Sequence, residues 1–209
     1  MLSNNFIRYF FIMSLCTIAF ISCDDKNEPG NQADQINLND PEIVLKESKK
    51  VLGNNVAFAY TGMFDPDTLA EVAAGAEIEN KDEWGIVFYL LKQNDGSLEK
   101  EFQTGILEGS FNECLVRKIK FPSFNYELVY YNSQDYFLGS GGGEIFSYII
   151  DYNNEQTYYA HLFTEAGQPV SLFLSENITS PEVKNFFISN FKRDYPSVSV
   201  VDKDVDLKY

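Results

Sequence analysis

Three cysteines, a single histidine and two acidic alternations are the first places to look for chemistry in this 209-residue chain. A cysteine nucleophile needs a histidine beside it to take the thiol proton, and the only pairing on offer is Cys114 with His161. A lone cysteine is more often a small buried hydrophobe, and Cys114 is read that way. One histidine cannot hold zinc unless carboxylates or cysteines are arranged around it, so His161 is expected to be structural. Asp151-x-Asn153-x-Glu155 and Asp202-x-Asp204-x-Asp206 alternate like calcium ligands. An EF-hand loop needs Gly at its sixth position and a bidentate Glu at its twelfth. Gln156 and Leu162 fill those places in the first run, and the second lies too near the end of the sequence. A hairpin turn and a solvated strand face are the readings, with a weak cation site as the alternative. Gly139-Ser140-Gly141-Gly142-Gly143 lacks the Lys-Ser/Thr and following helix of a phosphate loop, and it is not a G-x-S-x-G elbow. It reads as a flexible hairpin loop, with a ligand-contacting loop as the alternative. No catalytic constellation and no cofactor or metal motif emerges, so a non-enzymatic chain is expected.

Aromatic residues offer a different chemistry. There are 13 tyrosines and one tryptophan. Half-exposed rings on a sheet can stack on sugars or line a protein interface. Trp84, Tyr126, Tyr130, Tyr148, Tyr152 and Tyr159 are the candidate ligand face. Tyrosine is also a good strand former with its ring buried and its hydroxyl wet, and both readings stay open.

The front of the chain carries an addressing signal. In residues 1–22, Arg8 precedes an apolar run from Tyr9 to Ile21, with no acidic residue. That is the layout of a secretory signal peptide. The run of about 13 residues falls short of the roughly 20 needed to span a membrane. Phe20-Ile21-Ser22-Cys23 resembles the lipobox of bacterial lipoproteins, with Phe20 in place of the usual Leu. The resemblance implies a diacylglycerol on the Cys23 thiol, cleavage before Cys23 and acylation of the new N-terminus. Two or more acyl chains, at about 0.8 kcal/mol per buried CH2, anchor stably. Asp24-Asp25 resembles the sorting signals of Bacteroidetes-type lipoproteins, which implies an outer-membrane address, periplasmic or surface. Residues 24–40 are polar and poor in aliphatic side chains, so 23–39 reads as a lipidated cysteine plus flexible tether. Asp67-Thr68-Leu69 resembles the O-glycosylation sequon of such envelope proteins, with Thr68 as acceptor; Thr68 suits a helix's first turn equally.

Sixteen basic against 31 acidic residues give a formal net charge of −15, and loss of the leader removes one further positive charge. Such a chain repels nucleic acid and anionic lipid. With Cys16 in the leader and Cys23 lipidated, Cys114 has no intrachain disulfide partner. About 170 residues remain beyond the tether, which suits one domain with a substantial core.

Asp40-Pro41-Glu42 opens a first helix that Gly53 closes. A strand is expected over 56–62, then a short helix from Asp65-Pro66-Asp67-Thr68 to Gly75. WGIVFYLLK and SLEKEFQTGIL flank Asn94-Asp95-Gly96 as a hairpin. CLVRKIKF, YELVYY, EIFSYIIDY, TYYAHLF and PVSLFLS are further strands, antiparallel through short links. Thr179-Ser180-Pro181-Glu182 has capping-box spacing before a helix that ends at Tyr195-Pro196, and a last strand follows. The sum is α+β: a curved antiparallel β-sheet with a C-terminal helix packed on one face and short N-terminal helices, forming a single domain over 40–209. DPEI (40–43) and SPEV (180–183) share helix-start chemistry, which explains them as well as an internal duplication would. VKNFFISNFKRDYPSVSVVD resembles the helix–Tyr-Pro–strand unit of PepSY-like (β-lactamase-inhibitor-like) periplasmic domains over about 25 residues. The function expected is a lipid-anchored envelope lipoprotein that binds a protein partner. The alternative is a glycan-binding accessory lipoprotein of a polysaccharide-uptake system.

Overall fold

The computed structural model describes residues 35–133, 135–136 and 141–201. Cys23 and the leader, Asp24-Asp25, Gly139, Ser140 and the Asp202/Asp204/Asp206 face lie outside the described residues.

Helix α1 (Pro41–Leu52) starts as its sequence dictates. The Asp40 carboxylate accepts from the N–H groups of Glu42 and Ile43 at 3.0 and 3.4 Å, and Gly53 closes the helix at a φ of 99°. Strands β1 (Val56–Gly62), β2 (Glu71–Glu79), β3 (Trp84–Asn94) and β4 (Ser97–Gln103) form an antiparallel meander in that order. Asn94 pairs with Ser97 around Asp95 and Gly96, whose φ values of 45° and 78° are the left-handed pair a two-residue hairpin turn requires.

The expected helix from Asp65 to Gly75 does not form. Asp65 and Asp67 instead accept from the N–H groups of Asp67 and Leu69, both at 2.8 Å, and such local turns compete with a helix. The alanine-rich run after them is β2, central in its sheet and buried from Glu71 to Ala76. Tertiary burial overrides alanine's helical preference there. Gly75 is obligatory, since a Cβ would sit 2.2 Å from the Phe58 ring and 2.6 Å from Phe111.

Strands β5 (Leu115–Ile119), β6 (Leu128–Asn132), β7 (Asp135–Tyr136), β8 (Gly143–Asp151), β9 (Gln156–Thr164), β10 (Ser171–Leu174) and β11 (Ser199–Val201) form a second sheet. Its order is β11-β10-β9-β8-β6-β5, with β7 paired to β8. Every pairing is antiparallel except β10 with β11. Helix α2 (Pro181–Asp194) makes that crossover, the connection a parallel pair needs. The α2 cap is Ser180, whose Oγ accepts from Val183 N–H. The capping box expected from Thr179 is therefore absent, and Glu182 turns away to accept from Ser123 N–H and Oγ.

The two sheets stack, so the expected single sheet with one covered face is corrected to four layers: helix, sheet, sheet, helix. Along β8, Phe146, Tyr148 and Ile150 face Phe64 of the β1–β2 connection and the first sheet's Ile86, Phe88 and Leu90. Ile145 and Ile149 face α2 through Val183, Phe187 and Phe191. Along β2, Ala73 points between the sheets while Val72, Ala74 and Ala76 lie under Val44 of α1. Strands buried on both faces read as unbroken apolar runs, which is what EIFSYIID is. Ile36 and Leu38 pack against the α1 layer, and Thr61 Oγ1 donates to Leu38 O at 2.6 Å. Packing thus begins inside the stretch assigned to the tether, ahead of the boundary at 40.

Candidate functional site

The six aromatic candidates separate. Trp84 stands 60% exposed at the start of β3. Tyr126, Tyr130, Tyr148 and Tyr152 are at most 5% exposed, and Tyr159 is half-buried against the inter-sheet core. The tyrosines therefore present no exposed stacking face, and this expectation is corrected. Burial is the reason: both faces of β6 and β8 are covered, so the rings of Tyr130 and Tyr148 enter a core whichever way they point. Their hydroxyls serve the fold. Tyr148 donates to Glu108 O at 3.0 Å. Tyr131 donates to Ser110 O at 2.7 Å and accepts from Ser110 N–H at 3.0 Å. Together these two rings, stacked at 5.7 Å, tie down the loop over residues 104–114. Tyr152 is enclosed by Phe64 and Phe102, and burial pushes its phenol up. Its hydroxyl has no hydrogen-bond partner among the described residues.

Asp151 is fully buried where β8 turns into β9. Its carboxylate accepts from Asn154 N–H at 3.1 Å and Asn154 Nδ2 at 2.9 Å. Tyr126 and Tyr158 hydroxyls approach at 3.4 and 3.5 Å, and burial raises the Tyr126 phenol to about 12. The Asp151/Asn153/Glu155 alternation is therefore a turn whose first acid points inward, with Glu155 at a φ of 52°. No group of three or more metal-ligating side chains gathers among the described residues.

His161 Nε2 meets Glu144 Oε2 at 3.0 Å, and its ring stacks on Phe146 at 4.7 Å. Cys114 has a different neighbourhood: it is half-buried against the inter-sheet core, and its Sγ donates to Phe111 O at 3.3 Å. Burial pushes the thiol up, which keeps it protonated and poorly nucleophilic. Gly142 abuts the next strand, where a Cβ would lie 2.2 Å from Thr164 O, and Gly143 opens β8. These two glycines permit a close backbone approach at a strand entry.

Two features escape a sequence reading. The first is a charge cluster that pins the loop before β2. Lys92 Nζ lies 2.9 Å from Asp65, 3.3 Å from Glu71 and 3.8 Å from Asp67. Glu71 is 1% exposed and also accepts from Phe64 N–H at 3.0 Å. Burial raises its carboxyl above the ordinary value. Thr68 sits exposed on this loop at a φ of 67°, followed by exposed Leu69. The second is a cleft at the C-terminal end of α2, lined by Arg117, Tyr130, Asn132, Asn190 and Arg193. Only Tyr130 among the six aromatics reaches it. Arg117 and Arg193, 76 positions apart (193 − 117), meet there, and no local spacing signals the encounter.

Compared with protein-family models, with curated proteins and with solved structures, the chain finds no match.

Proposed function

We propose that this chain is a lipid-anchored envelope lipoprotein, held in the outer membrane by acyl chains on Cys23, whose α+β domain is a non-catalytic binding module for a protein partner. The observation that carries the partner reading is Trp84. It is the single tryptophan of the chain, and it is left 60% exposed beside a strand that is otherwise mostly buried. Its backbone pairs with Glu79 in the β2–β3 ladder, and two residues on Ile86 exchanges hydrogen bonds with Leu107, both at 2.9 Å. A side chain on an already ordered strand costs no backbone ordering when a partner covers it, and tryptophan leads the residue types that dominate protein interfaces. The net charge of −15 disfavours nucleic acid as that partner. On the anchoring side, Ser22-Cys23 after a short apolar run supports lipidation, and Asp24-Asp25 supports export to the outer membrane.

Crosslinking in native membranes followed by purification tests both parts. The wild-type chain should stay with the membrane fraction and recover one defined protein. Cys23→Ala should move the chain to the soluble fraction, and Trp84→Ala should lower partner recovery about thirtyfold, the loss of an interface anchor worth about 2 kcal/mol. Membrane retention of Cys23→Ala would overturn the anchor. Undiminished recovery with Trp84→Ala would overturn the module.

A further inference from the structure

We propose that the cleft between the C-terminal end of α2 and the β5–β6 side of the larger sheet binds a single polyhydroxylated ring bearing one carboxylate, a hexuronic acid. Its volume is about 220 Å3, below the roughly 300–1,000 Å3 of sites for drug-sized ligands and suited to one ring.

The charge of the cleft is the first argument. The sequence holds three arginines, and two of them, Arg117 and Arg193, line this one cleft. Arg193 is matched by its neighbour: Nε and Nη2 donate to the two Asp194 carboxylate oxygens, both at 3.1 Å. That pair adds no net charge. Arg117 has no carboxylate partner among the described residues. Its guanidinium lies over the Tyr130 ring at 5.4 Å and the Phe186 ring at 5.8 Å. Stacking fixes the plane of the fork and leaves its N–H edge free for a bidentate carboxylate. An unmatched guanidinium is unusual in a chain of net charge −15. One unmatched guanidinium carries a single positive charge, which a monocarboxylate matches and a dianion such as phosphate exceeds.

An unmade hydrogen bond is the second argument. The Asn190 side-chain nitrogen is shielded from solvent and has no partner among the described residues, yet Asn190 lines the cleft. A buried donor left unmade costs about 1–3 kcal/mol, and a turn of the Asn190 amide toward the cleft would present it to a ligand oxygen. Asn132 is already oriented, because its Oδ1 accepts from Tyr130 Oη at 3.2 Å and from Ser147 Oγ. Both of those residues are buried. Two amides and a phenol around an arginine suit ring hydroxyls beside an acid, while Leu115, Ile145 and Phe191 give the ring an apolar wall. This site is separate from Trp84 and does not depend on the partner reading.

Protein-observed NMR of the mature chain, with D-glucuronate, D-glucose and the monocarboxylate N-acetylalanine as probes, tests it. Glucuronate should give saturable shifts at Arg117, Tyr130 and Asn190, with both other probes at least about tenfold weaker. Arg117→Gln, an exposed position, should weaken glucuronate about tenfold or more, the loss of one charge-assisted pair, with the rest of the spectrum unchanged. Overturning results are no saturable shift, a response equal to that with glucose, binding of N-acetylalanine as tight or tighter, or unchanged affinity in Arg117→Gln.

Discussion

The two helices cover their sheets in different ways. Helix α1 lies on an aliphatic floor rich in small side chains, Ala59, Ala74 and Ala76 with Val56, Val72, Leu91 and Leu98, and its backbone runs close along β1. Helix α2 lies on larger groups. Phe187 and Phe191 press onto Tyr130, Ile149, Tyr158 and Leu162, and Phe186 meets Phe121 and Tyr130 edge-on at 5.5 and 4.9 Å. Small floors let backbones approach and fill space without shape matching. Rings hold a helix off its sheet, and wherever ring outlines do not interlock they leave a recess. The cleft around Arg117 is such a recess, whereas the recess beside α1 opens over Val44, Ala59 and Tyr60. The proposed ligand cleft lies beside the helix with the larger side chains.

The same contrast recurs in how each half holds a buried acid. The first sheet's Glu71 is answered by the charge of Lys92. The second sheet's Asp151 is answered by neutral donors, Asn154 and two tyrosines.

The sharpest way to break the comparison is to empty each layer. Phe187→Ala should cost about 3–5 kcal/mol in urea unfolding. Val44→Ala beneath α1 should cost about 1.5–2 kcal/mol, the transfer of two methyl groups. Equal losses would mean that the Phe187 site closes over on truncation while the Val44 site does not.

A smaller effect is expected at the charged acid. Lys92→Met should destabilise by about 2–3 kcal/mol at neutral pH, less than a fully buried pair because Lys92 is one-third exposed. The pH dependence has a definite sign. Against the burial that would raise it, hydrogen bonds from Lys92 and Asp67 N–H hold Asp65 below its ordinary value. The Asp65 contribution is present above its unfolded value and is lost as pH falls through the lowered folded one. Glu71, raised by burial, does the reverse: its contribution is full at low pH and is lost as pH rises through the raised value. Removing Lys92 lifts both carboxyls. The cost of Lys92→Met should therefore grow between about pH 4 and pH 7, read from unfolding midpoints at each pH. A flat difference would assign Lys92 to packing alone.

The smallest effect separates the caps. Asp40 takes two N–H groups, the nearer at 3.0 Å, while Ser180 takes one at 3.5 Å. Asp40→Ala should lower stability by about 1–1.5 kcal/mol and Ser180→Ala by about 0.5. The reverse order, in the same unfolding assay, would show that the Ser180 cap is the tighter one in solution.

Local chemistry in the sequence was enough for several elements. Asp40-Pro41 and Gly53 bounded α1, Asp95-Gly96 turned β3 into β4, and Tyr195-Pro196 ended α2, because caps and turns are decided by residues within a few positions of one another. The α+β class followed from those elements. Three things were not decided locally. Asp65-Pro66-Asp67-Thr68 has helix-start grammar, but Lys92, far along the chain, holds its carboxylates in turns. The strand tyrosines suited a wet face or a core equally well, and only the stacking of a second sheet buried them. Arg117, Asn132 and Asn190 carry no mutual spacing, and they meet only because α2 crosses back over β6 and β8. Sequence alone determined where α1 begins and where β3 turns into β4, since both depend on neighbours along the chain. Tertiary structure decided which side chains see water, because exposure depends on what arrives from elsewhere to cover them.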